Sequence, residues 1–159
     1  MGKVPKDWDI PTSARPEQVK GIFKKTFDTG IEHGTVTVVL DKENYEVTTY
    51  RIDGEYKDFR RPEAVAFTGD LKEDLKRRDF TMNAIAWHPE KGFLDYFGGM
   101  ADIEHKIIRG VGDPYLRFNE DALRMLRAIR FACQLDFSIE EATFEALKKE
   151  SGLIKHVSI

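Results

Sequence analysis

The sequence holds one cysteine, Cys133, among 159 residues. A single thiol excludes a disulfide framework and a cysteine-based zinc site. The expected role of Cys133 is a small core side chain on a helix. Long hydrophobic runs are also absent, so no segment reaches membrane-spanning length. The first residues carry no apolar core of a secretion signal, and the cytoplasm is the expected compartment. Nor is there a surplus of positive charge: 25 Lys and Arg stand against 28 Asp and Glu, a formal net charge of -3. Any site for a polyanion must therefore come from local arginine clustering. The four histidines show no metal-ligand spacing. What remains is ordinary globular composition, 41% apolar with 11 Phe. That is enough to bury a core in one compact domain, or in one domain with a small helical attachment.

The pattern along the chain alternates before it turns helical. A short strand is expected around Trp8–Ile10, then a helix through "PEQVKGIFKKTF" with Val19, Ile22, Phe23 and Phe27 on one face. "GTVTVVL" and "YEVTTYRI" read as two strands joined by the turn "DKEN". Residues Asp53 to about Gly69 mix acids, bases and aromatics without period, a surface loop long enough to be functional. From Asp70 the pattern reads as helical through "LKEDLKRRDFTMNAIAW", and "KGFLDYFGG" as a strand. "ADIEHKIIRGVGDP" contributes a turn of helix and a short strand. "NEDALRMLRAIRFACQL" predicts the best helix, with Asn119 as N-cap and Leu123, Leu126 and Ile129 as its apolar stripe. "SIEEATFEALKKESG" predicts another, capped by Ser138 and ended by Gly152. The fold class is α+β: a head of residues 1–110 and a helical neck of residues 111–159.

Carboxylates carry the first chemical signal. In "KDWDI", Asp7 and Asp9 stand two apart, which on a strand puts both on one face. Two like charges there repel unless a hard cation sits between them, and Mg²⁺ suits such a pair. A bare pair of this kind is more often a solvated edge or turn than a metal site. Glu46, in "YEVTT", would add a third carboxylate if the sheet brings its strand beside the first. Three converging acids are what metal-dependent phosphoryl transfer needs.

Arginines carry the second. "EDALRMLRAIR" spaces Asp121, Arg124, Arg127 and Arg130 three apart, a slanted band on a helix. A basic solvent face would look the same. A chemical reading competes with it, because a carboxylate accepts from an amino group and a guanidinium donates to a lone pair. Cytosine and adenine both offer an exocyclic amino group beside an unprotonated ring nitrogen; guanine and uracil offer a carbonyl beside N–H. Asp121 with Arg124 would accept C and A and reject G and U, leaving Arg127 and Arg130 for phosphates or buttressing. "KRRDFTMNA" adds Arg77, Arg78 and Asp79, with three successive cations suited to a triphosphate.

Taken together, "KDWDIPTSARPEQV", "IEHGTVTVV", "YEVTTYRIDGEYKDFRRP", "RRDFTMNAIAW", "FLDYFGGMADI" and "VGDPYLRFNEDALRMLRAIRFACQL" resemble the bacterial-type (class II) tRNA nucleotidyltransferases. These are the CCA-adding enzymes and their poly(A) polymerase relatives. The resemblance covers essentially the whole chain. It implies a polymerase-β-like nucleotidyltransferase head with a mixed sheet, a helical neck, and Mg²⁺-dependent addition of C, C and A to the 3′ end of tRNA from CTP and ATP. On this resemblance Asp7 and Asp9 match the metal-binding pair, and Glu46 the third acidic position. Arg78 matches a nucleotide-contacting arginine, Asp121 and Arg124 the pair that reads the base edge, and Arg127 and Arg130 further nucleotide-site arginines.

The stretch "YRIDGEYKDFRRP" leads into what matches the mobile loop needed for adding the terminal A. "IEHGTVTVV" looks like the CCA- or A-adding branch, since the poly(A) polymerases are more basic there. An A-adding enzyme, a poly(A) polymerase and a non-catalytic nucleotide-binding fragment stay open beside full CCA addition. The family pattern starts upstream with a strand and a Gly-Gly turn and continues downstream into a body and tail, so the expectation is a fragment. An unpaired neighbour to the Asp7–Asp9 strand would leave a sheet edge open to self-association.

Overall fold

The structure is a computed structural model that describes residues 8–54, 56, 59, 62 and 64–157. The chain forms two compact units, Met1–Ile52 with Val65–Asp74, and Asp53–Ala64 with Leu75–Ile159.

The first unit is built on a four-stranded mixed sheet. Its strands are β1 (Asp9–Thr12), β2 (Thr26–Gly30), β3 (Thr35–Leu40) and β4 (Glu43–Thr49), in the order β1-β4-β3-β2. β1 runs parallel to β4, and β3 is antiparallel to both β2 and β4. β-Branched residues alternate along β3 and β4 and divide the sheet into two faces. Val36, Val38 and Val47 are buried on one face with Val19 of α1 (Pro16–Ile22), and Ala14 and Phe23 pack beside them. The β3–β4 turn uses Asp41 and Lys42, both at positive φ, the backbone twist that a tight hairpin favours.

Helix α1 is shorter than expected from the sequence. It begins at Pro16, where the backbone N–H of Arg15 donates to the Gln18 side chain, and it ends at Ile22. Phe27 belongs to β2 and is exposed, and Ile22 is exposed as well, so the expected four-residue apolar face reduces to Val19 and Phe23. The stretch expected to be a loop to Gly69 contains β6 (Val65–Phe67), which makes a two-stranded ribbon with β5 (Arg51–Asp53).

The second unit is mainly helical. Helix α2 (Leu71–Lys76) leads into it, and a 3₁₀ turn follows at Thr81–Asn83. The expected helix through "NAIAW" is instead β7 (Ile85–His88), which pairs antiparallel with β8 (Gly92–Asp95). After α3 (Gly99–Glu104) and β9 (Ile107–Ile108) come α4 (Pro114–Glu120), α5 (Leu123–Leu135), β10 (Ser138–Ile139) and α6 (Glu141–Glu150). Phe80, Ile108, Phe118, Ala122, Met125, Ala128 and Ala146 form one buried cluster. Residues on both sides of position 110 thus share a single core, which groups 75–109 with the helices that follow.

The caps differ from the sequence reading. Asp113, not Asn119, caps the helix ahead of the break, its Oδ1 accepting from the Tyr115 N–H at 2.9 Å. Asn119 lies inside α4 and donates to the Tyr115 carbonyl. Ser138 is in β10; the cap of α6 is Glu140, whose Oε2 accepts from the Thr143 N–H at 2.8 Å. Gly152 sits inside the 3₁₀ segment Ser151–His156 that continues from α6. The buried apolar residues of α5 are Met125 and Ala128, joined by Ala122 just before the helix, while Leu126 and Ile129 are exposed. Cys133 is on the exposed side of the same helix, not in the core.

Candidate active site

In the first unit the sheet brings two of the three expected carboxylates together. Asp9 on β1 and Glu46 on β4 are direct cross-strand partners. Both are exposed. The next row on that face holds Thr48, whose hydroxyl lies 3.5 Å from Asp9 Oδ1 and bonds Thr35 at 3.1 Å. On the other side of Glu46, across β3, stands Thr37. Around Asp9 and Glu46 this face offers the hydroxyls of Thr37 and Thr48, whereas Val36, Val38 and Val47 are buried on the opposite face. Neighbouring carboxylates with hydroxyls around them fit a hard divalent cation. Asp7 lies outside the described residues, and among the described residues no three acids, histidines or cysteines converge as a metal cluster.

In the second unit an open pocket of about 550 Å³ gathers most of the expected arginines. Arg77, Arg78, Arg124 and Arg127 line it together with two acids, Asp79 and Asp121. Asn83, Leu123 and Phe131 complete the wall. Arg130, one of the expected set, does not line it; its guanidinium lies over the Phe131 ring at 4.9 Å.

The break between α4 and α5 positions Asp121 and Arg124. Asp121 leaves the helical region, φ -139, and its Oδ1 accepts from the Leu123 N–H at 3.0 Å. The carboxylate so fixed starts α5 and stays in the pocket wall. Arg124, one turn later, is only 8% exposed. It donates to the carbonyls of Arg117 and Arg77, at 3.1 and 3.0 Å, and to Glu120. Glu120 also pairs with Arg117. Three of Arg124's five N–H donors thus tie pocket to helix, so it shapes the wall as well as lining it. Burial pulls the Arg117 guanidinium below its ordinary pKa, with Glu120 opposing and Arg124 reinforcing that shift.

Sequence reasoning passed over several of these parts. Glu120 is spaced three and four residues from Arg117 and Arg124, the separations at which helical side chains meet. Asp79 holds Arg127 in place: its Oδ2 accepts from Arg127 Nε at 2.7 Å, and its Oδ1 from the Phe80 N–H and from Asn83. The segment beginning at Asp53 is tied in too. Tyr56 donates to Asp53 at 2.6 Å, Arg77 lies 3.7 Å from Asp53, and the Phe59 carbonyl accepts from the Ala122 N–H at 2.8 Å. Burial, then the bond to Asp53, pushes the Tyr56 hydroxyl above its ordinary pKa.

Residues 1–109 match the family described as the Poly A polymerase head domain. The chain belongs to that family. Curated relatives include the CCA-adding enzyme of Pediococcus pentosaceus, 58% identical over 153 residues, which are 96% of this chain and 39% of that enzyme. The CCA-adding enzyme of Bacillus subtilis is 54% identical over 153 residues, 96% of this chain and 38% of its own length. The chain thus spans about two-fifths of the curated relatives it matches, 39% of the first. Among solved structures, the Bacillus stearothermophilus CCA-adding enzyme in complex with CTP aligns with a TM-score of 0.88 at 47% identity, covering 99% of this chain and 38% of that one. The Thermotoga maritima CCA-adding enzyme complexed with tRNA aligns with a TM-score of 0.74 at 28% identity, covering 99% and 36%. The mixed α+β fold is that of the part of these enzymes with which the chain aligns. No described helix is long and apolar enough to cross a membrane.

Proposed function

We propose that this chain carries the metal-holding and nucleotide-selecting parts of a tRNA nucleotidyltransferase. That enzyme adds C and A to the 3′ end of tRNA from CTP and ATP, without a nucleic-acid template, in the cytoplasm. The pocket is the observation that carries the reading: Asp121 and Arg124 both line it, with further arginines in its wall. A carboxylate beside a guanidinium matches the amino group and ring nitrogen shared by cytosine and adenine. Arg77, Arg78 and Arg127 supply positive charge for a triphosphate.

The reaction joins the tRNA 3′ oxygen to the α-phosphorus of the incoming nucleotide, and the bond to pyrophosphate breaks. Asp9 and Glu46, with Asp7 by sequence, would hold Mg²⁺. When bound, the metal would lower the pKa of the attacking hydroxyl and neutralise the triphosphate. Asp121 and Arg124 choose the base, and Asp79 orients Arg127. The curated relatives named as CCA-adding enzymes support this choice of reaction over poly(A) addition.

The test offers tRNA lacking its 3′ end, or ending in CC, with labelled CTP or ATP and Mg²⁺. Incorporation of both nucleotides would support CCA addition. A alone would mark an A-adding enzyme, a run of A a poly(A) polymerase, and binding without incorporation a nucleotide-binding fragment. The outer edge of β1, with Trp8 and Ile10 exposed beside it, is where a second copy would add a strand. A sedimentation coefficient independent of concentration would rule that association out.

A further inference from the structure

Phe131 stands one helical turn beyond Arg127 and next to Arg130 on α5. Both guanidiniums lie over its ring, at 5.2 Å and 4.9 Å from the centroid. The ring is itself anchored, because the fully buried Phe80 meets it edge-on at 6.0 Å and 90°. Arg127 has a second support in its Nε–H bond to Asp79. That carboxylate is fixed in turn by the Phe80 N–H and by Asn83. One cation is therefore held by a carboxylate at its Nε and by an aromatic ring beneath its guanidinium carbon. An aromatic face attracts a guanidinium through its quadrupole and restricts its orientation. Hydrophobic packing alone would not bring a second cation, Arg130, onto the same ring, since two like charges so close repel. An anion bound in the pocket would relieve that repulsion.

We propose that Phe131 is a positioning residue for the nucleotide site. Its ring sets the guanidinium of Arg127 at the pocket wall and keeps Arg130 close behind as a second positive charge that does not line the pocket. The inference rests on the nucleotide role proposed above for that pocket. It assigns Arg130 an indirect, electrostatic part rather than ligand contact, and it makes the aromatic face at position 131 a determinant of affinity for the triphosphate.

The test is titration of the chain with CTP, alongside Phe131→Leu, Phe131→Tyr and Arg130→Ala, with melting curves for each. Phe131→Leu should weaken CTP binding by roughly twofold to fivefold for each guanidinium released, and Phe131→Tyr should keep it, since the ring face remains. Arg130→Ala, an exposed change that spares the core, should weaken binding in the unsubstituted chain but add little in the Phe131→Leu background. Its effect should shrink at high salt, as befits a charge acting at a distance. Unchanged CTP affinity in Phe131→Leu, or in Arg130→Ala if the leucine variant melts too low, would overturn the inference. So would a tyrosine variant as weak as the leucine one. An unsubstituted chain that bound no CTP would be a distinguishable failure, removing the nucleotide-site reading itself.

Discussion

Asp9 and Glu46 face each other across a parallel strand pair, next-neighbour carboxylates on the exposed side of a sheet whose other side is valine. Without a cation their mutual repulsion opposes the pairing that brings them together. Glu46→Gln should then leave the metal-free protein as stable as before or a few tenths of a kcal/mol more stable, while abolishing Mg²⁺-dependent nucleotide incorporation. Thermal melting in chelator and the incorporation assay, run on the same preparation, check both halves. A clear loss of metal-free stability would mean that Glu46 has a structural task.

Arg124 is expected to be costly to remove for reasons apart from nucleotide choice. Its truncation removes one donor each from the Arg117 and Arg77 carbonyls and leaves Glu120 with Arg117 alone. Arg124→Ala should lower unfolding stability by about 2–4 kcal/mol. Denaturant unfolding gives the number, and a loss below about 0.5 kcal/mol would show that those bonds do not hold the pocket wall.

Asp121 permits a cleaner change of base preference. Asp121→Asn keeps the side-chain oxygen that receives the Leu123 N–H and adds an amide donor. The variant should accept UTP, whose carbonyl takes that donor, and lose part of its preference for CTP. Competition between the two nucleotides measures the shift.

Gly99 marks a close approach of backbone to backbone. A β-carbon there would come within 2.1 Å of the Thr81 carbonyl oxygen, which has no side-chain freedom to move away. Gly99→Ala should destabilise by about 2–3 kcal/mol. Urea unfolding would reveal it as a lower midpoint at unchanged slope.

Two carboxylates give the second unit an acid-sensitive side. Burial alone would raise the pKa of Asp95, but bonds from the Met100, Gly99 and Phe97 N–H groups outweigh it and hold the carboxyl below its ordinary value. Burial likewise opposes the shift at Glu140, where the Thr143 N–H and hydroxyl and then Arg109 win. A depressed folded-state pKa stabilises the fold above the unfolded value, and that contribution is lost as pH falls through the folded one. Stability should therefore be flat near neutrality and decline below about pH 4. Asp95→Asn should flatten the decline, as read by melting temperature against pH.

The sheet and the chemistry were legible in the sequence to different depths. β3 and β4 could be read from their β-branched alternation around "DKEN", and that placed Glu46 on a strand. The strand at Ile85–His88 could not, because its partner β8 lies beyond a turn and only the pairing overrides the helical look of the flanking residues. Helix α5 misled because it is apolar on more than one side. Ala122, Met125 and Ala128 were chosen for the core over larger Leu126 and Ile129, and small residues permit the closer approach. The arginine band was visible as a spacing. What spacing could not show is that Arg124 is buried and triply bonded, or that Arg130 turns away onto Phe131. Those outcomes depend on Glu120, Asp79 and the carbonyls of another segment.

The most direct measurement is the affinity of the chain for CTP, ATP, UTP and GTP, taken side by side under one set of conditions. If Asp121 and Arg124 read the base edge, CTP and ATP should bind roughly tenfold or more tightly than UTP and GTP. Four equal affinities would contradict it, leaving the pocket as a site for triphosphate charge alone.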